Sequence, residues 1–220
     1  MFPVRPLGTT YHSENSMKVC PLCVSALALS AGVAGFAWLG SGSTAVASFA
    51  ADNGYKVDPV HTSAIFGVKH NGVSNFYGRF NKSEGTFNVD AADPSKSFID
   101  ISIATDSVDT NNGGRDKHLK SGDFFSVAEF PAMSFKSKSF KKTGENSYDV
   151  TGDFTVRGKT KEINVTVTDT GHGKARNGEV AGFETRFNIK RSDYGVSFMV
   201  GPGLSDDVAI IYSAEGGKGA

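Results

Sequence analysis

Cysteine is almost missing from this chain of 220 residues. The only two, Cys20 and Cys23, lie in an uncharged stretch near the N-terminus, together with the sole tryptophan, Trp38. They have the C-x-x-C spacing of a redox or zinc pair, but no second ligand pair occurs anywhere in the chain. From residue 48 onward there is no thiol, so disulfides cannot hold the domain and its stability must come from packing and hydrogen bonding. An excess of charge is also lacking, with 23 basic against 23 acidic residues, which argues against nucleic acid as a partner. A second apolar run of the ~20 residues that cross a bilayer is missing after the N-terminal one. So are the G-x-S-x-G elbow, a phosphate loop and H-E-x-x-H. No serine or threonine is set beside a base in a recognisable constellation, and the chain reads as no enzyme. The metal alternative, His61, His70 and His118 with Asp58 or Asp116, matches no compact ligand spacing.

What is present begins with "VCPLCVSALALSAGVAGFAWLG", Val19 to Gly40, which follows Lys18 and precedes an A-x-A arrangement at Ala45 and Ala47. That order is the pattern of a secretory signal. Residues 1–47 are therefore expected to be a signal peptide, with Met17 as an alternative start, and 48–54 a short linker. The mature protein is then periplasmic or secreted; an uncleaved N-terminal membrane anchor is the competing reading.

From Tyr55 onward apolar residues recur with a period of two. "SFIDISIA" sets Ile99, Ile101 and Ile103 opposite Phe98, Asp100 and Ser102, and "EINVTVTD" sets Ile163, Val165 and Val167 opposite Asn164, Thr166 and Thr168. Such alternation marks half-buried antiparallel strands. Segments near 62–70, 76–89, 97–106, 131–142, 146–157, 161–171, 179–190 and 206–215 give eight strands, with a short one at 55–58 and turn residues between them. Eight strands suffice to close a barrel that is filled by side chains or holds one small ligand. A sandwich of seven to nine strands fits the periodicity equally well. One short helix is expected in "GGRDKHLKSGD", bounded by Gly113-Gly114 and Gly122, lying across one end of the sheet. On it Asp116 and Lys120, four apart, are placed to pair.

Phenylalanine is abundant. Three of the 17 precede residue 50, leaving 14 for the domain. Phe offers a large apolar surface with no polar tip, which suits either a packed β core or a cavity for an apolar ligand. Composition leaves both open.

Four stretches in order, "YKVDPVHTSAIFGVKHNGVSNFYGRFNKSEGTF", "DTNNGGRDKHLKSGDFFSVAEFPAMSFKSKSF", "YDVTGDFTVRGKTKEINVTV" and "IKRSDYGVSFMVG" with "LSDDVAIIYSAE", resemble the YceI family of exported bacterial proteins. The resemblance runs from about Tyr55 to Glu215, with Thr62 where the family usually has serine. It implies a domain over 55–216, a tail at 217–220, and an all-β fold: an eight-stranded antiparallel lipocalin-like barrel with one short helix capping an end. It also implies non-catalytic binding, storage or transport of a long apolar lipid such as an isoprenoid quinone or polyprenyl lipid, with no metal and no resident cofactor. Strands of ~10 residues, tilted by about 40°, make a barrel roughly 25 Å tall that a linear chain could thread lengthwise.

Residues on the apolar phases are expected to line the lumen: Phe66, Val68 and Phe80; Ile101, Ile103, Met133 and Phe135; Phe154, Val156, Val165 and Val167; Phe187, Ile189, Ile210 and Tyr212. A bulge within Ser134 to Phe140 would reverse the phase there. Phe124, Phe125 and Phe130 would form the underside of the helical cap. Arg115, Asp116 and His118 above them are either a solvated face or a contact for a polar head group. The Gly-rich connection Ser192 to Asp206 reads as a second flap with Arg191, Asp193 and Tyr194 near the head, or as an exposed patch for a protein partner on a solid-core module. The turn with Arg157, Lys159 and Lys161 reads as a solvated hairpin turn or an approach to anionic lipid during transient membrane contact. No interface signature is visible, and a homodimer through edge or end contacts stays open. The remaining alternative is a metal-dependent enzyme using His61 and His118.

Overall fold

The computed structural model describes residues 54–201 and 203–218. The expected signal peptide and all of the linker but Gly54 lie outside them. The described elements are the strands β1 Tyr55–Val57, β2 Ser63–His70, β3 Ser74–Phe80, β4 Ser83–Asn88, β5 Phe98–Ala104 and β6 Val108–Asp109, then helix α1 Gly113–Leu119. They continue with β7 Ala132–Lys142, β8 Ser147–Val156, β9 Lys159–Ala175, β10 Gly178–Lys190 and β11 Leu204–Gly217.

These strands make one closed antiparallel sheet. Its eleven segments reduce to eight staves, because three staves are bent and interrupted at the bend. β2 pairs with the first part of β11, from Leu204↔His70 to Ser213↔Ser63, and β1 pairs with its end through Val57↔Gly216 and Lys56↔Gly217. β3 and β4 are likewise halves of one stave, flanked by β2 and β1 on one side and by β6 and β5 on the other. The third bent stave is β5 and β6, broken by a 3₁₀ turn at Thr105–Ser107. β7 to β11 complete the ring as an up-and-down meander. Since β11 bonds to both halves of the first stave, the ring of staves closes on itself, which excludes the sandwich and gives the expected eight-stranded barrel.

Several boundaries differ from expectation. The single strand expected over 76–89 breaks at Asn81–Lys82, where Asn81 N–H donates to Ser107 O at 3.0 Å and Lys82 N–H to Ser107 Oγ at 3.1 Å. These local acceptors draw the backbone off the ladder. β9 runs beyond Gly171 to Ala175, kinked by a register shift that leaves Thr170 unpaired. β11 takes in Gly217, the first residue of the expected tail, and Lys218 N–H still donates to Glu179 O at 2.9 Å. The bulge in β7 falls at Lys138, between Ser137↔Gly152 and Ser139↔Thr151. It moves the inward phase from Met133 and Phe135 to Phe140. The extra residue points its ammonium outward to Asp153 at 2.6 Å and Glu162 at 3.0 Å.

The two ends of the barrel differ. One is filled: Tyr55, Val57, Phe87, Tyr148, Val150, Ala181, Phe183 and Ala214 are buried there. Phe87 sits 4.8 Å from Phe183 and 5.8 Å from Tyr55, centroid to centroid. Toward the other end the wall rings lie against glycines. A Cβ at Gly152 would stand 2.6 Å from Phe135 Cζ, and one at Gly78 would stand 2.4 Å from Phe66 Cζ, so both rings lie flat on the wall and leave the axis clear.

At this second end two guanidinium groups fix the loops. Arg191 is only 6% exposed. Its Nε donates to Ser205 O at 2.8 Å, and its Nη1 to Val196 O at 3.0 Å and Phe198 O at 2.8 Å. Its Nη2 reaches Leu204 O at 3.4 Å. Burial lowers the Arg191 pKa and the nearby Asp206 opposes that effect. Arg157, in the β8–β9 turn, donates to Gly195 O at 2.8 Å and to Gly122 O at 2.7 Å, tying the helical cap to the flap. We expect Arg191→Met to destabilise the barrel by about 2–4 kcal/mol in urea unfolding, because buried carbonyls lose charged donors. Arg191→Lys should recover little of this, since an ammonium cannot reproduce the planar fork; recovery of most of it would show that charge alone matters there.

Candidate functional site

The wall that the glycines keep clear encloses a cavity of about 420 Å³, within the range of small-molecule sites. Its floor is formed by Ile99, Val167, Phe183 and Tyr212, and its mouth by His70, Ser74, Phe76, Arg115, His118, Phe198, Met199 and Leu204. Because the residues below the floor are packed solid, the cavity is blind. The expectation that a chain could thread the barrel from end to end is corrected. The same observation confines the solid-core alternative to the filled half.

The staves place the expected residues as follows. Phe66, Val68 and Phe80 line the cavity from β2 and β3, Ile101 and Ile103 from β5, and Met133 and Phe135 from β7. Phe154, Val156, Val165 and Val167 come from β8 and β9, and Phe187, Ile189, Ile210 and Tyr212 from β10 and β11. Phe124, Phe125, Arg115, His118, Arg191 and Tyr194 also reach the wall. Phe130 does not: its ring packs on the β8–β9 turn, where a Cβ at Gly158 would stand 2.6 Å from Phe130 Cε1. Sequence reasoning left out Phe76, Ile99, Phe183, Thr185 and Val208, which share the phase of residues it chose. It also left out Leu119, Val196, Phe198 and Leu204, which sit at element ends or in loops where no periodicity marks them.

Polar groups in the cavity are sorted by depth. Deep in the wall, Tyr212 Oη and Ser83 Oγ bond to each other at 2.7 Å, and Thr185 Oγ1 donates to Thr166 O at 2.8 Å. Burial pushes the Tyr212 phenol up to about 12, with the Ser83 contact acting the other way. These groups satisfy one another, so the depth asks for no polar ligand atom. Charge appears only at the mouth. Arg115 lies with its guanidinium 4.3 Å from the centroid of Phe76 and donates to Thr110 Oγ1 at 2.8 Å and Thr110 O at 2.7 Å. His118 meets Asp123 through Nε2 at 2.8 Å, and its ring stands edge-on to Phe124 and Phe198, each 5.1 Å away.

Some expected pairings are replaced. The Asp116 carboxylate accepts from Thr110 N–H at 2.9 Å and from its hydroxyl at 2.5 Å, so it fastens the helix start to the strand end and does not pair with Lys120. Arg191 spends its donors on loop carbonyls, as above, and holds the flap closed over the wall. Asp193 turns outward to Lys161 at 2.9 Å, while Tyr194 is buried edge-on to Phe154 at 5.6 Å.

The proposed metal pair does not meet. His118 sits at the mouth, whereas His61 lies in the β1–β2 bend beside the filled end, in a shallow depression shared with His172 and Glu215. Asp58, His61 and Glu215 bring one ligand atom each within 4.8 Å of one another. The His61 Nδ1, however, is 2.8 Å from Asp58 Oδ2, and the imidazole is 63% exposed. Each partner favours the other's charged form: His61, with the Val60 N–H, lowers the Asp58 pKa, and Asp58 raises that of His61. Together with the Thr62 hydroxyl donating to Asp58 O at 2.7 Å, this is a hydrogen-bonded bend in the first stave.

Known proteins agree with this geometry. The YceI-like domain family matches residues 55–216. A UPF0312 protein of Azotobacter vinelandii is 37% identical over 183 residues, covering 83% of this chain and 93% of the relative. The crystal structure of the Campylobacter jejuni YceI protein superposes with a TM-score of 0.61 at 32% identity, covering 68% of this chain and 89% of that one. A polyisoprenoid binding domain from Saccharophagus degradans, implicated in plant cell wall breakdown, shares the fold with a TM-score of 0.58 at 14% identity, covering 74% of this chain and 97% of that one. A closed barrel of eight staves, a capped mouth and this extent of sequence identity place the chain in the YceI-like family.

Proposed function

We propose that this protein binds an apolar lipid of isoprenoid type, tail inward, and stores or carries it outside the cytoplasm without altering it chemically. The observation that carries this reading is the blind apolar cavity of about 420 Å³ whose deep polar groups are paired with each other and whose charged groups stand only at the mouth. Such a lining rewards burial of hydrocarbon, at about 25 cal/mol per Å² removed from water, and offers nothing to a polar tail. The polyisoprenoid-binding name of the Saccharophagus degradans domain supports an isoprenoid as the guest. The export reading of residues 1–47 supports a site of action across a membrane, in the periplasm or beyond. In this orientation Arg115 and His118 meet the head group, whether that is a quinone carbonyl or a phosphate.

No step of chemistry is assigned to the guest. His118 is paired with Asp123 and packed between two phenylalanines, a setting that holds a ring in place.

Organic extraction of the protein purified from its native host, followed by mass spectrometry, should release an isoprenoid lipid in near-stoichiometric amount; a protein that comes out empty or carrying only straight-chain fatty acids contradicts the isoprenoid assignment. Ile103→Trp, which fills the lumen, should lower retention of that lipid at least tenfold while the protein stays folded, and retention at the wild-type level would place the guest elsewhere. Arg115→Ala and His118→Ala should each weaken retention by about three- to tenfold, corresponding to roughly 1 kcal/mol per head-group contact; unchanged retention in both would remove helix α1 from the site.

A further inference from the structure

Six large apolar side chains stand exposed among the described residues, and four of them, Val73, Phe198, Met199 and Val200, are on two loops at the cavity mouth. Val73 is 84% exposed, Met199 53%, and Phe198 and Val200 38% each. The loops adjoin: Asn71 N–H donates to Gly203 O at 2.9 Å, and Leu204 pairs with His70. They are also held in shape, since the carbonyls of Val196, Phe198, Leu204 and Ser205 are gripped by Arg191. An apolar edge that is exposed and yet braced has no interior to pack against in the monomer.

Cations flank this edge. Lys69 lies one residue before the end of β2 beside it, and Lys117 and Lys120 belong to the helical cap; none of the three enters an ion pair among the described residues. Among the neighbouring acids, Asp193 pairs with Lys161 and Asp123 with His118, Asp116 and Asp206 are hydrogen-bonded to the neutral groups of Thr110 and Ser192, and Glu129 and Asp207 are exposed.

We propose that the barrel docks mouth-first on an anionic lipid bilayer, with Val73, Met199 and Val200 entering the interfacial layer and Lys69, Lys117 and Lys120 meeting lipid phosphates. Apolar insertion together with basic side chains is the combination that holds a protein at a membrane surface. The occupant is a bilayer because the edge is continuous with the cavity wall through Phe198 and Met199, which belong to both. A hydrocarbon guest then passes from acyl chains to cavity across apolar surface alone. This inference rests on the lipid-binding reading for its purpose, but its test does not depend on the guest.

The ring closes through its own first and last staves, and the Saccharophagus degradans chain is matched over 97% of its length by this barrel, so the chain from Ser48 onward is the unit to assay. It should float with vesicles of equal phosphatidylglycerol and phosphatidylcholine, and at least fivefold less with phosphatidylcholine alone. The combined variant Val73→Ser, Val200→Ser, at two exposed positions outside the cavity lining, should lose at least fivefold of that partition with its unfolding midpoint unchanged, and Lys117→Glu with Lys120→Glu should lose a comparable share. Wild-type protein that stays with the aqueous layer, or that floats no better than both variants, overturns docking. Uptake of N-phenyl-1-naphthylamine reads the cavity separately: it should persist in the loop variant and fall in Ile103→Trp. Dye uptake absent alongside normal flotation would defeat the cavity reading and leave docking intact.

Discussion

The closed ring of backbone hydrogen bonds is the constraint on which the rest of this molecule depends. A sheet with edges needs a packed face to survive, whereas a closed barrel satisfies its backbone groups around the circumference and can leave part of its interior unfilled. Closure here turns on β11, which bonds to β10 from Asp207 to Gly217, to β2 over its first part and to β1 at its last residues. A molecule that bound in the unfilled part of the lumen would stabilise the folded chain over the unfolded one.

The molecule divides the work between its ends. In the filled half, Tyr55, Phe87, Tyr148 and Phe183 are nearly inaccessible to solvent and supply the packing that the open half forgoes. In the open half, Phe66 and Phe135 lie on Gly78 and Gly152, so aromatic surface is presented to the lumen without occupying it. The same residue type thus does opposite things at the two ends. Phe87 in the filled end also lies on a glycine, Gly216; what closes that end is the further large rings of Tyr55 and Phe183 packed against it.

That division explains how much could be read from the chain before its coordinates. Alternation in β5, β8, β9 and β10 fixes which side chains point inward, because a period of two follows from the pleat and little else competes with it. The number of staves was legible for the same reason. Their bends were not: the breaks at Asn81–Lys82 and Thr105–Ser107 face each other on neighbouring staves and are joined by hydrogen bonds from Asn81 and Lys82 to Ser107, residues too far apart in the chain for local sequence to signal the contact. Phe183 and Val208 could have been found by continuing the phase of Phe187 and Ile210. Phe198 and Val196 could not, since they belong to a loop whose path is set by Arg191. Phe130 had the right composition for the cap and the wrong geometry, drawn off by the close approach of Gly158.

Arginine use at the mouth carries the argument a step further. Arg157 and Arg191 were legible only as surface charge or as candidates for a head group, because a donor aimed at loop carbonyls leaves no pattern in sequence. In the structure they bond carbonyls of Gly122, Gly195, Val196, Phe198, Leu204 and Ser205. A long irregular connection beside an apolar cavity has carbonyls that no ladder satisfies and little packing to hold it. Two planar guanidinium forks meet that need with fixed directions, and through Gly122 and Gly195 they join the helical cap to the flap. The mouth is consequently ordered by polar contacts while the lumen below it stays apolar, so the edge that faces outward can be both exposed and stationary.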